Sequence, residues 1–261
     1  MPEFFIPLSV LLIGIATGFG DSTVGSGGLL SIPLLILLGL PPQIAIAIDR
    51  LGSVGQTLAA LLVFWRAKKI RWNYILVFTV LSLFGSYIGA TILLSFDPKL
   101  LEKTIGLFLL FVLPFLFLQS SIGIKQRSVS ILKKGIGYIV YFFIMVYNGF
   151  FGTGSGPFAT FTALYFFGFT IIEANATSII PWFVLSLSSL VIFARGGIVD
   201  YQKGIILLVG MTIGGYLGAH VAVAKGDAWI KRLFILEFII SAFYDFIVIV
   251  ARAKKQYKNK G

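Results

Sequence analysis

The chain has 261 residues, of which 58% are hydrophobic and only 12% charged, with a net charge of +11 and no cysteine; its mean hydropathy is +0.99. An ordinary soluble domain carries about 25% charged residues, so the composition excludes a water-soluble globular protein and places the chain in a bilayer. The lack of thiols excludes disulfides, cysteine metal sites and thiol catalysis.

In chain order, apolar runs cover roughly 4–20, 24–40, 44–65, 74–96, 100–119, 135–151, 157–169, 174–194, 203–224 and 230–250. A spanning helix needs about 20 apolar residues, a length that several runs approach, whereas 24–40 and 157–169 are short. The first run follows Met-Pro-Glu rather than a basic segment and has no small-residue cleavage site, so it reads as a retained helix and not a signal peptide. It is followed by GFGDSTVGSGG (18–28), a Gly-rich break between two apolar stretches.

The break recurs. Sliding the chain by 129 residues without a gap aligns Gly20 with Gly149, Gly25-Ser26-Gly27 with Gly154-Ser155-Gly156, and Gly39 with Gly168. The same offset aligns Ala45/Ala47 with Ala174/Ala176, Phe64/Arg66 with Phe193/Arg195, and Gly85-x-Tyr87-x-Gly89-Ala90 with Gly214-x-Tyr216-x-Gly218-Ala219, 17 identities over 20–90 against 149–219. Internal duplication is a common plan of membrane transporters. Each half reads as a hydrophobic run, a break, a short run and three further segments.

If the first two runs of a half are separate spans, the half crosses five times; if they form a re-entrant hairpin, it crosses three times. Either count is odd, so the second half is expected upside down relative to the first. The fold expected is an all-α integral membrane protein of two inverted-topology repeats, about 8–10 transmembrane or half-membrane helices with Gly-rich helix breaks. The first repeat is 1–120, a basic cytoplasmic linker is 121–134, the second repeat is 135–250, and a basic tail is 251–261. The loop with Arg66, Lys68, Lys69 and Arg71 and the linker with Lys125, Arg127, Lys133 and Lys134 share a side, which their charge assigns to the cytoplasm. The tail, with Arg252, Lys254, Lys255, Lys258 and Lys260, ends outside by parity, although its charge prefers the inside. The net positive charge fits orientation in a cell membrane and contact with lipid headgroups, not nucleic acid.

Inside a bilayer, backbone that leaves the helix survives only where it is buried in protein or lines a watery cavity. Two such breaks at matching places therefore mark a candidate site, with packing of small residues between helices as the plainer reading. Glycine lets backbone approach a ligand, and the helix that follows each break presents free N–H groups and a positive dipole end suited to an anion. Gly25, Ser26, Gly27 and Gly28 in the first break and Gly154, Ser155 and Gly156 in the second are the substrate-binding candidates. Gly85-x-x-x-Gly89 and Gly214-x-x-x-Gly218 fit helix packing instead.

GFGDSTVGSGGLLSIPLLILLGLPPQIAIAIDRLGS, with YNGFFGTGSGPF (147–158), ANATS (174–178), GGIVDYQKG (196–204) and GGYLGAHVAVAKG (214–226), resembles the two signatures of the TauE/SafE family of membrane permeases. The likeness spans nearly the whole chain and is greatest to the YfcA-like branch. It implies export of a small anion such as sulfite, a sulfonate or a related organic anion, without identifying which; no cofactor is expected. The family often has Thr-Asn-Lys where this chain has Ile48-Asp49-Arg50, and Asp where it has Asn148.

Asp49 and Arg50 lie about six residues, or ~9 Å, into an apolar run, where charge is costly and functional by default. Neighbours in sequence do not share a helix face, so each needs another partner. Arg50 is the candidate for an anionic substrate, with hydroxyls of Ser26, Ser155, Thr177 and Ser178; Asp21 and Asp49 are candidate counter-ions or coupling groups. The plainer readings are an Asp21–Arg50 ion pair or an Arg50 that snorkels to the interface. Glu237 and Asp245 read as facing a polar gap, and His220, the sole histidine, as interfacial, so no metal site is expected. With no HExxH, GxSxG or Walker-type loop, an enzyme is not expected. A secondary transporter leads, an anion channel is the alternative, and a homo-oligomer stays open.

Overall fold

The computed structural model describes residues 5–25, 28, 30–97, 123, 126–152, 154–230 and 232–233. Its helices are α1 (Phe5–Val24), α2 (Ser31–Leu37), α3 (Pro42–Arg66), α4 (Trp72–Ser95), α5 (Ile131–Phe150), α6 (Ser155–Phe167), α7 (Ile171–Arg195) and α8 (Tyr201–Lys225). The run 100–119, Ser26, Gly27, Thr153, Glu237, Asp245 and the basic tail lie outside the described residues. Among the described residues, six helices (α1, α3, α4, α5, α7 and α8) are long and apolar enough to cross a bilayer.

Local signals set the ends of these helices. Pro41 and Pro42 start α3 with proline at its first helical position, where the missing N–H costs nothing. Thr170 and Glu173 form a reciprocal capping box on α7, and Asp200 caps α8 by accepting from the Lys203 N–H. Outside the spans, partial burial alone would raise the Asp200 carboxyl, but hydrogen bonds and charge from Lys203 outweigh it and hold it below the usual carboxylate range. The short α6 is bracketed by Gly154 and Gly168, both left-handed, at φ 75° and 74°. α5 begins at Ile131, within the stretch expected as linker, because the Ser130 hydroxyl caps it by accepting from the Lys133 N–H.

The duplication read from the sequence is also a duplication of helices. Shifting α3 by 129 residues gives the bounds of α7, and shifting the start of α4 gives the start of α8. The left-handed residue Lys68 (φ 54°) after α3 likewise maps onto Gly197 (φ 69°) after α7.

Close backbone approaches fix the helix directions. Glycines along α1 and α8 meet in rising order on both chains: Gly14 against Leu207 and Gly210, Gly18 against Met211, and Phe19 against Gly218. α3 runs the same way, with Gly52 against Met211 and Gln56 against Gly215. In the other set α4 and α5 are parallel, with Ser82 beside Tyr141, Gly85 against Met145 and Gly149 against Ser86. α7 joins that set, since its Thr177 meets Arg71 at the start of α4 and Gly196, just past its end, meets Leu94 near the end of α4. Thus α1, α3 and α8 point one way and α4, α5 and α7 the other, each helix opposing its repeat equivalent. The Gly85/Gly89 and Gly214/Gly218 pairs lie at these helix contacts, as small-residue packing requires.

Because α1 and α3 point the same way, the chain must return between them by way of α2, so α1 and α2 form a hairpin. α5 and α6 do the same, with Gly137 beside Phe166 and Phe167. Both tips stop inside the protein. Gln56 bonds Ser22, yet α3 continues ten residues past Gln56 while α1 continues only two past Ser22. That difference is about 12 Å of helix. Gly149 lies against Ser86, and α4 continues nine residues further while α5 continues one, which gives the same shortfall.

Two apolar cores lie above and below these tips. One is built around Phe64, Phe78, Tyr141 and Phe167, with Phe78 and Tyr141 stacked at 4.3 Å; the other is built around Ile32, Ile46, Ile48, Phe151 and Phe193. Basic residues gather at one end, where Arg71 pairs with Glu173 at 2.7 Å and Arg127 N–H donates to the Gly168 carbonyl at 3.0 Å.

Candidate functional site

Between the two apolar cores lies a buried polar layer. A small cavity of ≈ 20 Å³ within it is lined by Asp21, Gly28, Asp49, Arg50, Ser53, Gln56, Thr57, Asn148, Trp182, Leu185 and Ser186. Six of these are repeat equivalents at the offset of 129: Ser53 with Trp182, Gln56 with Leu185 and Thr57 with Ser186. The cavity therefore sits where α3 and α7 cross, at the middle of each 25-residue helix.

Arg50 is 4% exposed and reaches across to the other half. Its Nη2 donates to Asn148 Oδ1 at 3.0 Å and to the Asn148 backbone carbonyl. That carbonyl belongs to the last turn of α5, where C=O groups lack helical partners and a cation is favoured. Nη1 lies 3.9 Å from Asp49 Oδ2, while Asp49 Oδ1 accepts from the Ser31 hydroxyl. So Asp49 and Arg50 each take their nearest hydrogen-bond partner from another segment, as helix geometry requires. The guanidinium turns inward and does not snorkel. Asp21 Oδ1 accepts from the Gly28 N–H at 3.3 Å, and Asp21 and Arg50 line the same cavity.

The other tip is held in the same manner. Asn175 Nδ2 donates to the Thr23 carbonyl in the last turn of α1 at 2.8 Å, and Thr160 Oγ1 donates to Asn175 Oδ1 at 3.4 Å. Each hairpin tip is thus capped by a side chain from the third helix of the opposite half.

Of the residues singled out in the sequence, Asp21, Gly28, Asp49 and Arg50 come together on the cavity. Gly25 lies instead against Asn175 and Thr160. Gly154 is the left-handed cap of α6, Gly156 and Ser155 are buried in its first turn, and the Ser155 hydroxyl donates to the Gly152 carbonyl at 2.8 Å. Thr177 faces the basic end, where its hydroxyl accepts from the Arg71 N–H at 3.0 Å, and Ser178 is buried in α7. Ser26 and Gly27 lie outside the described residues. His220 is exposed and stacks on Tyr216.

Sequence reasoning passed over Ser53, Gln56, Thr57, Asn175, Trp182 and Ser186. Ser53, Gln56, Thr57 and Ser186 are polar residues at mid-helix in apolar runs, but only Thr57 and Ser186 are matched across the repeat offset by another polar residue. Two cavity-lining residues also carry buried N–H groups that find no acceptor among the described residues, Arg50 Nε and Trp182 Nε1.

Residues 10–244 match the family model described as Sulfite exporter TauE/SafE. A "Probable membrane transporter protein" of Haemophilus influenzae is 27% identical over 231 residues, covering 88% of this chain and 91% of that protein. The "Probable membrane transporter protein YfcA" of Escherichia coli is 26% identical, covering 97% and 93%, and YunE of Bacillus subtilis, of the same description, is 25% identical, covering 81% and 87%. No solved structure matches the chain. The chain therefore belongs to the TauE/SafE family, and with six helices among the described residues long and apolar enough to span a bilayer it is a multi-pass membrane transporter.

Proposed function

We propose that this TauE/SafE protein is a secondary transporter of the cell membrane that exports a small oxyanion (sulfite, a sulfonate or a related organic anion) by alternating access about the central cavity. The observation that carries this reading is a buried guanidinium at the crossing of two oppositely directed repeats, with one N–H that finds no acceptor among the described residues. A buried cation with spare donors suits a carboxylate or sulfonate. Placement at the repeat interface near mid-depth is where transporters of inverted plan hold substrate. The first domain reading, 1–120 against 135–250 about an in-plane pseudo-two-fold axis, is supported by the opposed helix directions. The gathering of Lys68, Lys69, Arg71, Arg127, Lys133 and Lys134 at one end supports assigning that end to the cytoplasm.

A carrier is favoured over a channel by the cavity itself. Its ≈ 20 Å³ is room for about one water, and apolar cores close it on both sides. The hairpin tips must shift before an oxyanion fits, and an occluded state between two closed layers belongs to a carrier cycle. Charge count supports coupling at Asp21 and Asp49. Two carboxylates and one guanidinium sum to −1 when all are ionised, so an incoming anion is better tolerated if one carboxyl takes up a proton.

The test is ligand-dependent thermal stability of the purified protein, because a ligand bound only to the folded state raises its apparent stability. Sulfite or methanesulfonate should raise the unfolding temperature of the parent and not of Arg50→Gln. If Arg50→Gln binds and transports the anion as well as the parent, the anion-site reading fails.

A further inference from the structure

We propose that Trp182 is a substrate-binding and specificity-determining residue whose indole N–H donates to a second oxygen of the same oxyanion that Arg50 holds. The inference rests on the anion-site reading above and goes beyond it by naming a residue and a ligand shape. Trp182 sits in α7 one residue after Pro181, a proline inside the helix, and at the repeat equivalent of Ser53. Its side chain lines the cavity and is 7% exposed.

The indole N–H is a donor only, and here it is buried with no acceptor among the described residues. Leaving such a group unpaired is destabilising, and an unpaired buried polar group in a native structure calls for a reason. The residue facing the same cavity with the same defect is Arg50, through Nε. Of the acceptors on the cavity, Asp49 Oδ1 takes the Ser31 hydroxyl, Asp21 Oδ1 the Gly28 N–H and Asn148 Oδ1 Arg50 itself, and none among the described residues takes the indole N–H. Two N–H donors in want of acceptors on one cavity are complementary to a ligand with two acceptor oxygens, which sulfite, sulfonates and carboxylates have and a halide lacks. An enzyme or carrier site built to pair a polar group rejects the ligand that leaves it unpaired.

Trp182→Phe keeps the ring and removes the donor. A hydrogen bond to a charged group is worth about 1.5–3 kcal/mol, so sulfite should bind roughly ten- to a hundredfold more weakly to Trp182→Phe by thermal-shift titration. The ligand-free protein should be as stable as the parent or more stable, since an unsatisfied donor has been removed; a merely structural indole would lower it. In a variant with Trp65, Trp72 and Trp229 changed to Phe, sulfite should change the remaining Trp182 emission saturably, and chloride at the same concentration should not compete. Sulfite binding to Trp182→Phe within twofold of the parent, or no saturable change in the single-tryptophan protein that still binds sulfite, overturns the Trp182 assignment while leaving the anion site standing. Equal sulfite binding by the parent and Arg50→Gln overturns the anion site and this inference with it.

Discussion

Gly152→Ala should disable the site through Arg50, a residue 102 positions away in sequence. Gly152 lies in the turn between α5 and α6 at φ 78°, and a Cβ there would overlap Arg50 Nη2. Gly28 has nearly the same backbone, φ 74°, but its Cβ would meet only Ile32 at 3.4 Å and Asp49 at 3.5 Å, ordinary contact distances. The left-handed conformation costs either alanine about 1–2 kcal/mol. Only Gly152→Ala must also move the guanidinium. Arg50 is buried and bonded to Asn148 twice, and giving up two hydrogen bonds to a charged group costs about 3–6 kcal/mol.

The difference between the two variants isolates the steric part from the shared backbone strain. Gly28→Ala should unfold slightly below the parent and bind sulfite somewhat more weakly. Gly152→Ala should lose several times more stability, or keep its fold with Arg50 displaced and sulfite binding lost. Both outcomes are read by the same thermal-shift titration. A Gly152→Ala protein as stable as Gly28→Ala and binding sulfite like the parent would refute the placement of Arg50 against this tip.

Cysteines at Arg66 and Arg195, repeat equivalents at the ends of α3 and α7, should be labelled by an impermeant thiol reagent from opposite sides of the membrane; labelling of both from one side refutes the inverted arrangement. Binding of methanesulfonate, which stays ionised, should strengthen as pH falls if a carboxyl takes up a proton with the anion, and Asp49→Asn or Asp21→Asn should flatten that dependence. A flat profile in the parent excludes the coupling. Asn175→Leu should speed hydrogen exchange in the last turn of α1 and spare the end of α5, while Arg50→Gln should do the reverse; equal loosening of both tips by either change contradicts the crossed capping.

Much of the fold was legible because the duplication is gapless. Gly25, Gly39, Arg66 and Gly85 mark the break, the loop and the helix contacts of one half, and their partners at the same offset mark those of the other. Glycine in an apolar run has few uses besides close approach and positive φ, so its recurrence locates backbone events well. The site was half legible. Asp49 and Arg50 stood out as charges in a bilayer, and the structure brings them together with Asp21 and Gly28. Ser178 is the repeat equivalent of Asp49, but repeat equivalence in oppositely directed halves carries a residue to the mirrored depth, and the neighbouring Thr177 sits at the basic end beside Arg71. Ser53, Gln56 and Thr57 were hidden because single polar residues in a long helix look like packing until the facing helix is known. Trp182 was hidden for the opposite reason, since an aromatic in an apolar run looks like core.

The crossed capping also bears on how such a cavity can open on alternate sides. Each tip is the end of a helix that stops within the protein, so its last carbonyls must be satisfied by protein or water. In this structure they are satisfied by the opposite half: Arg50 for α5 and Asn175 for α1. The two caps are unequal. A guanidinium on a carbonyl is a charge-assisted bond, whereas the amide of Asn175 on Thr23 is neutral, and the former is roughly twice as strong. The α1 tip is accordingly the easier of the two to release, and water entering beside it can replace the lost bond. If an anion binds Arg50 as proposed and draws the guanidinium away from Asn148, it would remove the stronger cap as it binds and bring the two tips nearer to balance. Under the proposed alternating-access function, substrate would not push a gate open; it would cancel the asymmetry that holds one tip more tightly than the other, and the duplicated architecture would then allow exit on the side opposite to entry.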